Sequence, residues 1–277
     1  MTHSSTPFDV CIRGAGIVGR SLALLLAAQQ LRVALVHKGA GDPSETGHSD
    51  VRAYSLNMAA KQLLTDLRCW PEGDACTPIL AMHIEGDQGG DLNFDATQQG
   101  VEALNWMVDV PTLEKNLATA VGFQPLIEEL SAPVAAPLTV VCEGRASQTR
   151  AELGVQFDVK HYAQHALACR IQTDAPHGQV ARQWFQNMHG AEVLAFLPIG
   201  GASSHQWAIV WSLTPDRAQE LSKADAAHFC QQLVTASGGV AGNIQLISER
   251  AVWPLQLARA TQWTGSIAPA TSAGPAQ

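Results

Sequence analysis

Short runs of apolar residues alternate with longer apolar segments in the first half of the chain. Residues 8–12 (FDVCI) form a run of strand length, and a glycine-rich turn follows. Residues 17–29 are apolar on most faces, which is typical of a buried helix, and residues 32–36 (RVALV) are strand-like again. A strand, turn, helix and strand in so short a stretch predict the opening of a parallel α/β sheet.

Helix-like and strand-like patterns both continue as far as residue 154. They include segments with apolar residues at helical spacing, a hairpin around a glycine-rich turn and further strand-like runs. We predict a helix over 55–67, a hairpin over 84–95, a strand over 105–110, a helix that begins at Pro111, a loop over 130–138 and a strand over 139–144.

The pattern changes between residue 155 and about residue 253. Strand-like runs at 165–171, 191–199 and 206–213 follow each other closely, and one helix is predicted over 224–237. Closely spaced strands of this kind favour antiparallel pairing, so this half predicts a mainly antiparallel sheet with a helix on it.

Composition and charge narrow the functional class. The 277 residues are 46% hydrophobic and 15% charged, which is typical of a globular protein, and the net charge of −8 argues against a nucleic-acid binder. The first residues have no basic region before an apolar stretch, and no apolar run is long enough to span a bilayer. The six cysteines form no CxxC pair and no zinc-like spacing. We therefore expect a cytoplasmic protein without a metal site.

The first motif that carries chemistry is the turn Gly14-Ala15-Gly16-Ile17-Val18-Gly19. In a dinucleotide-binding turn, Gly14 permits the tight bend, Gly16 lets the backbone approach a diphosphate, and Gly19 lets the helix pack closely. The N-terminus of the helix then supplies N–H groups and partial positive charge. The flanking strand, helix and strand are the context that this motif requires. A purely structural glycine turn remains the alternative.

The end of the second predicted strand departs from the usual pattern. An acidic residue normally stands there and holds the ribose hydroxyls of a dinucleotide, whereas this chain has His37 followed by Lys38. A neutral imidazole can accept a hydrogen bond, and Lys38 would favour a phosphate. The alternative is that the ribose contact is simply missing.

Three further stretches hold candidate residues. Arg52 stands between a polar loop and a predicted helix, where it could face a flavin or a phosphate, or be an ordinary surface residue. Glu143 and Gly144 follow a strand in the stretch CEGRASQTR. His177, in PHGQVARQWF, fits a structural role better than a catalytic one when it is taken singly. We find no hydrolytic nucleophile motif and no paired carboxylates, so the chemistry is expected to come from a cofactor.

In this order the four stretches resemble the ubiquinone-biosynthesis hydroxylases (the UbiH/UbiF-like family), which are FAD-dependent aromatic monooxygenases. GAGIVG looks like the family's FAD-binding turn, RAYSLNMAAKQLL like its arginine-containing segment, and CEGRASQTR like its DG motif with Glu143 in the Asp place. PHGQVARQWF and FLPI also resemble family segments. The resemblance covers residues 8 to 265 and implies an α/β fold: a Rossmann-like FAD-binding domain interleaved with a mainly antiparallel-sheet substrate domain.

The resemblance also implies a reaction and a site. NAD(P)H would reduce FAD, and O2 would hydroxylate the ring of a polyprenylated phenol, with access from the membrane surface and contact with other ubiquinone-biosynthesis proteins. We expect residues 1–76 and 101–154 to form the FAD-binding domain, and 77–100 and 155–258 the substrate domain. The expected cofactor-binding residues are Gly14, Ala15, Gly16, Gly19, His37, Arg52, Glu143 and Gly144. No catalytic residue is assigned.

The segment 259–277 diverges from the family, which continues after the WTG position with a GDAAH motif that lines the cofactor. This chain has SIAPATSAGPAQ there instead, with the composition of a disordered tail. The expectation is a truncated or frame-shifted family member with impaired activity and low solubility. The alternative is a non-catalytic relative that keeps the fold and binds no flavin.

Overall fold

The computed structural model describes residues 8–37, 51–187 and 190–266. Lys38 and most of the divergent segment lie outside the described residues. In chain order the elements are β1 (Val10–Arg13), α1 (Ile17–Ala28), β2 (Val33–Val36), β3 (Ala53–Leu56), α2 (Met58–Asp66), β4 (Cys76–Ile79), β5 (Ala81–Glu85), β6 (Asp91–Asp95), β7 (Asn105–Asp109), α3 (Val110–Gly122), β8 (Ile127–Leu130), β9 (Leu138–Val141), α4 (Gln148–Glu152), β10 (Phe157–Thr173), β11 (Val180–Gln186), β12 (Glu192–Ile199), β13 (Gln206–Leu213), α5 (Pro215–Lys223), α6 (Ala226–Ala236), β14 (Ile244–Leu246) and β15 (Ala251–Ala260).

The first sheet is parallel and has the order β8-β2-β1-β9. Its central strands are apolar and buried, as expected for strands covered on both faces. Helix α3 buries Val110, Leu113, Leu117 and Val121, whose spacing of three and four residues places them on one face. Helices α1 and α3 pack with this sheet into one apolar cluster, so the carboxyl ends of β1, β2 and β9 are held side by side.

The second sheet has eight strands and is mainly antiparallel. Its order is β14-β10-β13-β12-β11-β5-β6, β15 also pairs with β10, and β11 and β5 run parallel to each other. Alternate residues of β12 and β13 point into a core that includes Trp211, Phe196 and Leu194 and is covered by α5 and α6. The predicted hairpin is confirmed as β5 and β6.

A small antiparallel sheet, β3-β7-β4, lies between the two larger ones. Ile79 and Met107 of this sheet pack against Ala181, Ile199 and Ala208 of the eight-stranded sheet. Strand β7 then runs directly into α3, which lies on the parallel sheet. The small sheet therefore joins the two larger layers through apolar contacts.

Several sequence predictions need correction. The helix predicted over 55–67 begins only at Met58, because Asn57 caps it and the two residues before Asn57 belong to β3. The single helix predicted over 224–237 is α6, and a second helix, α5, precedes it. The sequence pattern missed α5 because only Ala218 and Leu221 of its nine residues are buried. The domain boundaries themselves stay a prediction.

Among the described residues, no helix is both long and apolar enough to cross a lipid bilayer.

Candidate functional site

A cavity of about 630 Å³ opens where the carboxyl ends of β1, β2 and β9 meet. This is the end of a parallel sheet at which ligands of open α/β folds bind. The cavity is lined by Arg13, Gly14, Ala15, Gly16, Ile17, Val18, Val36, His37, Arg52, Tyr54, Glu114, Ser131, Pro133, Cys142, Glu143, Gly144 and Gln148. Seven of the eight cofactor-binding residues expected from the sequence are in this set, and Gly19 is the exception.

Two glycines of the turn, Gly14 and Gly19, are required by close backbone contacts. Gly14 has a φ of +113°, and a Cβ there would lie 2.4 Å from the carbonyl oxygen of Cys142. A Cβ on buried Gly19 would lie 1.8 Å from the carbonyl oxygen of Gly14. Gly19 therefore lets α1 press against the turn and against the end of β9. Its place behind the cavity wall agrees with a packing role.

Gly16 differs, because a Cβ there would meet no atom of the described residues within 4 Å. It is exposed, lines the cavity and stands at the N-cap of α1 with extended backbone angles. None of the described side chains caps this helix, so its first-turn N–H groups remain available to a ligand. Open space in front of a bare helix N-terminus fits the diphosphate of a dinucleotide.

The carboxylate of Glu143 is held by its own segment. It accepts hydrogen bonds from the hydroxyls of Ser147 (2.7 Å) and Thr149 (2.5 Å) and from the backbone N–H of Thr149 (2.9 Å). Partial burial raises the pKa of Glu143, but these hydrogen bonds and the charge of Arg13 outweigh it, so the pKa lies below its ordinary value. Arg13 lies 3.6 Å from Glu143 and 3.2 Å from Glu152. Glu143 is therefore an ionised residue that fastens the turn after β9 to α4.

His37 and Arg52 both line the cavity, and each has an acidic neighbour. The Nε2 atom of His37 lies 3.6 Å from a carboxylate oxygen of Glu129 on β8. The guanidinium of Arg52 lies 3.4 Å from the carboxylate of Glu114 on α3. The structure thus brings both residues to the predicted site, where each lies beside the carboxylate of a neighbouring strand or helix.

A second cavity, of about 340 Å³, lies between the small sheet and the eight-stranded sheet. Consecutive residues at the start of β3 line different cavities, because Arg52 and Tyr54 line the first and Ala53 lines the second. Asp109 at the N-cap of α3 and Arg170 of β10 also line the second cavity and form an ion pair at 2.7 Å. Burial raises the pKa of Asp109, but hydrogen bonds from Arg170 and Thr112 prevail and hold it below its ordinary value.

The contacts of His177 are structural, which favours the structural role over the catalytic one for this residue. Its side chain is buried, its Nδ1 atom accepts from the backbone N–H of Gln179 at 3.0 Å, and its Nε2 atom lies 3.2 Å from the carbonyl oxygen of Ile199. The ring also packs edge-on against Trp207. Burial lowers the pKa of His177, so the neutral ring joins the loop before β11 to the end of β12.

Sequence reasoning missed several residues that line the first cavity. Glu114 comes from α3, and Ser131 and Pro133 come from the loop that was predicted but not assigned a role. Arg13 carried a signal, because a charge at the end of an otherwise buried strand needs a partner or a ligand. No sequence motif indicated Glu114, Ser131 or Pro133, because their position depends on how distant segments of the chain pack together.

Comparison with solved structures defines the class of fold. The chain superposes on p-nitrophenol 4-monooxygenase PnpA from Pseudomonas putida with a TM-score of 0.65 at 14% identity, covering 93% of this chain and 70% of that one. It also superposes on PqsL, a probable FAD-dependent monooxygenase from Pseudomonas aeruginosa, with a TM-score of 0.63 at 19% identity, covering 87% and 73%. The fold is that of the FAD-dependent monooxygenases, and the predicted fold class is confirmed.

The family follows from sequence. Residues 95–266, more than half of the chain, match the FAD binding domain family (FAD_binding_3), and the chain belongs to that family. It is 25% identical to the ubiquinone hydroxylase UbiL of Rhodospirillum rubrum over 92% of this chain and 63% of UbiL. It is also 25% identical to the 3-demethoxyubiquinol 3-hydroxylase of Escherichia coli K12, over 81% and 62%.

An uncharacterized protein of Synechocystis is similar at the same identity, over 90% of this chain and 64% of that protein. These matches confirm the predicted resemblance to ubiquinone-biosynthesis hydroxylases. The chain spans a little less than two thirds of the length of these relatives.

Proposed function

We propose that the chain binds FAD in the larger cavity and acts as a monooxygenase that hydroxylates the aromatic ring of a polyprenylated ubiquinone precursor. NAD(P)H is the reductant and O2 the oxygen donor. The observation that carries the proposal is the meeting of the glycine turn, Arg52 and the CEG segment around one cavity of about 630 Å³. The similarity to ubiquinone hydroxylases supports the choice of substrate class.

In this proposal the residues of the chain bind and orient. The backbone around Gly16 and the first turn of α1 receive the diphosphate, because among the described residues no side chain caps this helix and no atom lies within 4 Å of a Cβ placed on Gly16. Arg52 and Tyr54 form the wall that faces the second cavity. FAD held by these residues would supply the redox chemistry that the reaction with O2 requires.

The second cavity is the proposed place of the substrate ring. Its volume of about 340 Å³ is within the range of small-molecule sites, and Met107 and Ile199 give it apolar walls. Arg170 and Gln206 offer hydrogen-bond donors for oxygen substituents on the ring. The polyprenyl tail of such a substrate partitions into lipid, so we propose that the protein works at a membrane surface.

A spectrum of the purified chain, recorded before and after incubation with excess FAD and desalting, tests flavin binding. We expect retained flavin bands at close to one FAD per chain. Consumption of NADH or NADPH, with formation of a hydroxylated product from a short-chain prenylphenol, then tests the reaction. Retained flavin without product would contradict the monooxygenase proposal.

One observation favours the alternative of a non-catalytic relative. Both carboxylate oxygens of Glu143 are engaged by Ser147 and Thr149, so this residue contributes to the turn rather than to a ligand. A chain that stays colourless at every FAD concentration, while remaining folded by circular dichroism, would establish this alternative.

A further inference from the structure

The residue at the end of β2 normally holds the ribose of a dinucleotide, and in this chain that residue is His37. An acidic side chain from the neighbouring strand lies beside His37. The backbone N–H of His37 donates to the carbonyl oxygen of Leu130 at 3.0 Å, which extends the parallel pairing of β2 and β8. This pairing brings Glu129 beside the ring, with its carboxylate 3.6 Å from Nε2. Ser131, two residues further along, lines the same cavity as His37.

We propose that Glu129 is a positioning residue that takes over the task of the missing acid. A neutral imidazole carries one proton, and a carboxylate beside Nε2 favours the tautomer with the proton on that nitrogen. Nδ1 is then a hydrogen-bond acceptor for a ribose hydroxyl of the adenosine half of FAD. The inference rests on the proposed function, because it assumes that FAD occupies this cavity.

The arrangement explains how the site works without an acid at the end of β2. A carboxylate at that position accepts a hydrogen bond from the ribose directly. In this chain the imidazole of His37 would accept that hydrogen bond, and the negative charge lies on Glu129 of the neighbouring strand. The side chains of His37 and Glu129 are 32% and 38% exposed, and pairs this exposed contribute little to stability. Loss of Glu129 should therefore change ligand binding while the fold stays intact.

The test measures affinity by quenching of flavin fluorescence, using the full chain. The ligands are FAD and an FAD analogue that lacks both ribose hydroxyls of its adenosine half. Glu129→Ala should weaken FAD binding about 5-fold, the value of one ordinary hydrogen bond, and leave binding of the analogue unchanged. Glu129→Gln, which keeps an acceptor oxygen, should lie between wild type and Glu129→Ala.

Two further variants separate positioning from general effects. Glu128→Ala removes the same charge from the adjacent exposed residue of β8 and should bind FAD like wild type. The double variant His37→Ala/Glu129→Ala should bind FAD no more weakly than His37→Ala alone, because Glu129 acts through His37.

The outcomes distinguish this inference from the function it rests on. If the folded wild-type chain binds no FAD, the proposed function fails and the inference fails with it. If FAD binds but Glu129→Ala matches wild type, or weakens FAD and the analogue equally, only the inference is overturned. Additive losses in the double variant would overturn it as well.

Discussion

Alanine substitution of two glycines in one turn should separate folding from cofactor binding. Gly19 and Gly16 are three residues apart, yet an added methyl group meets opposite surroundings at the two positions. At Gly19 it would lie 1.8 Å from a backbone oxygen, whereas at Gly16 it would have no neighbour within 4 Å in the part of the chain that the structure describes. Gly19→Ala should therefore damage the fold, whereas Gly16→Ala should damage mainly the site.

The contact distances set the magnitudes. At position 19 the helix and the turn must separate by roughly 1 Å, and no change of rotamer relieves a clash with backbone. Overpacking of this kind costs about 3 kcal/mol at the upper end, and the better helix propensity of Ala returns about 1 kcal/mol. We expect a net loss of about 2 kcal/mol for Gly19→Ala. For Gly16→Ala we expect a loss within about 1 kcal/mol, from the poorer N-cap.

Urea unfolding followed by circular dichroism measures the first quantity, and FAD titration measures the second. Gly16→Ala should weaken FAD binding at least about 10-fold, because its methyl group would occupy the place where the diphosphate approaches the helix. An unchanged unfolding midpoint for Gly19→Ala would refute the close approach of α1 to the turn. Unchanged FAD affinity in Gly16→Ala would refute the position assigned to the diphosphate.

Two further predictions concern charged and titratable groups. Because burial lowers the pKa of His177, the unfolded chain binds more protons than the folded chain below about pH 6.5, and the free energy of unfolding should fall as the pH drops from there towards the folded pKa. Urea unfolding midpoints measured between pH 7.5 and 5 test this, and the midpoints of His177→Gln should depend less on pH. Asp109→Asn keeps an oxygen that caps α3 but removes the charge facing Arg170, so the free energy of unfolding should fall by about 1 kcal/mol. Asp109→Ala also loses the cap and should lose about 2 kcal/mol. Equal unfolding midpoints for the two variants would contradict this division.

The sequence predicts the part of the fold that follows from local pattern. Strands β1 and β2 are short buried apolar runs, and the glycine turn between β1 and α1 has the spacing typical of a dinucleotide-binding turn. Six of the seven expected site residues that line the larger cavity follow the ends of β1, β2 and β9, which the sequence predicts as strands. Arg52 is the seventh and stands before β3.

The remaining elements depend on contacts that no local window contains. Strand β8 reads IEEL, with two exposed acids, and becomes a strand because it adds to the edge of β2. Strand β3 has only four residues and is fixed by pairing with β7, about fifty positions later. The acidic neighbours of His37 and Arg52 come from β8 and α3, so they could be recognised only in the folded chain.

The charges around the larger cavity indicate which groups can hold an anionic ligand. Arg13 is already balanced by Glu143 and Glu152, and Arg52 lies against Glu114. A diphosphate would have to compete with these carboxylates for either guanidinium, and competition of this kind cancels most of the gain from a new ion pair. Backbone N–H groups at the start of α1 have no such competitor among the described side chains. Binding of a diphosphate at this site would therefore depend on the shape of the glycine turn more than on side-chain charge, so one methyl group at the turn should outweigh the loss of any single arginine.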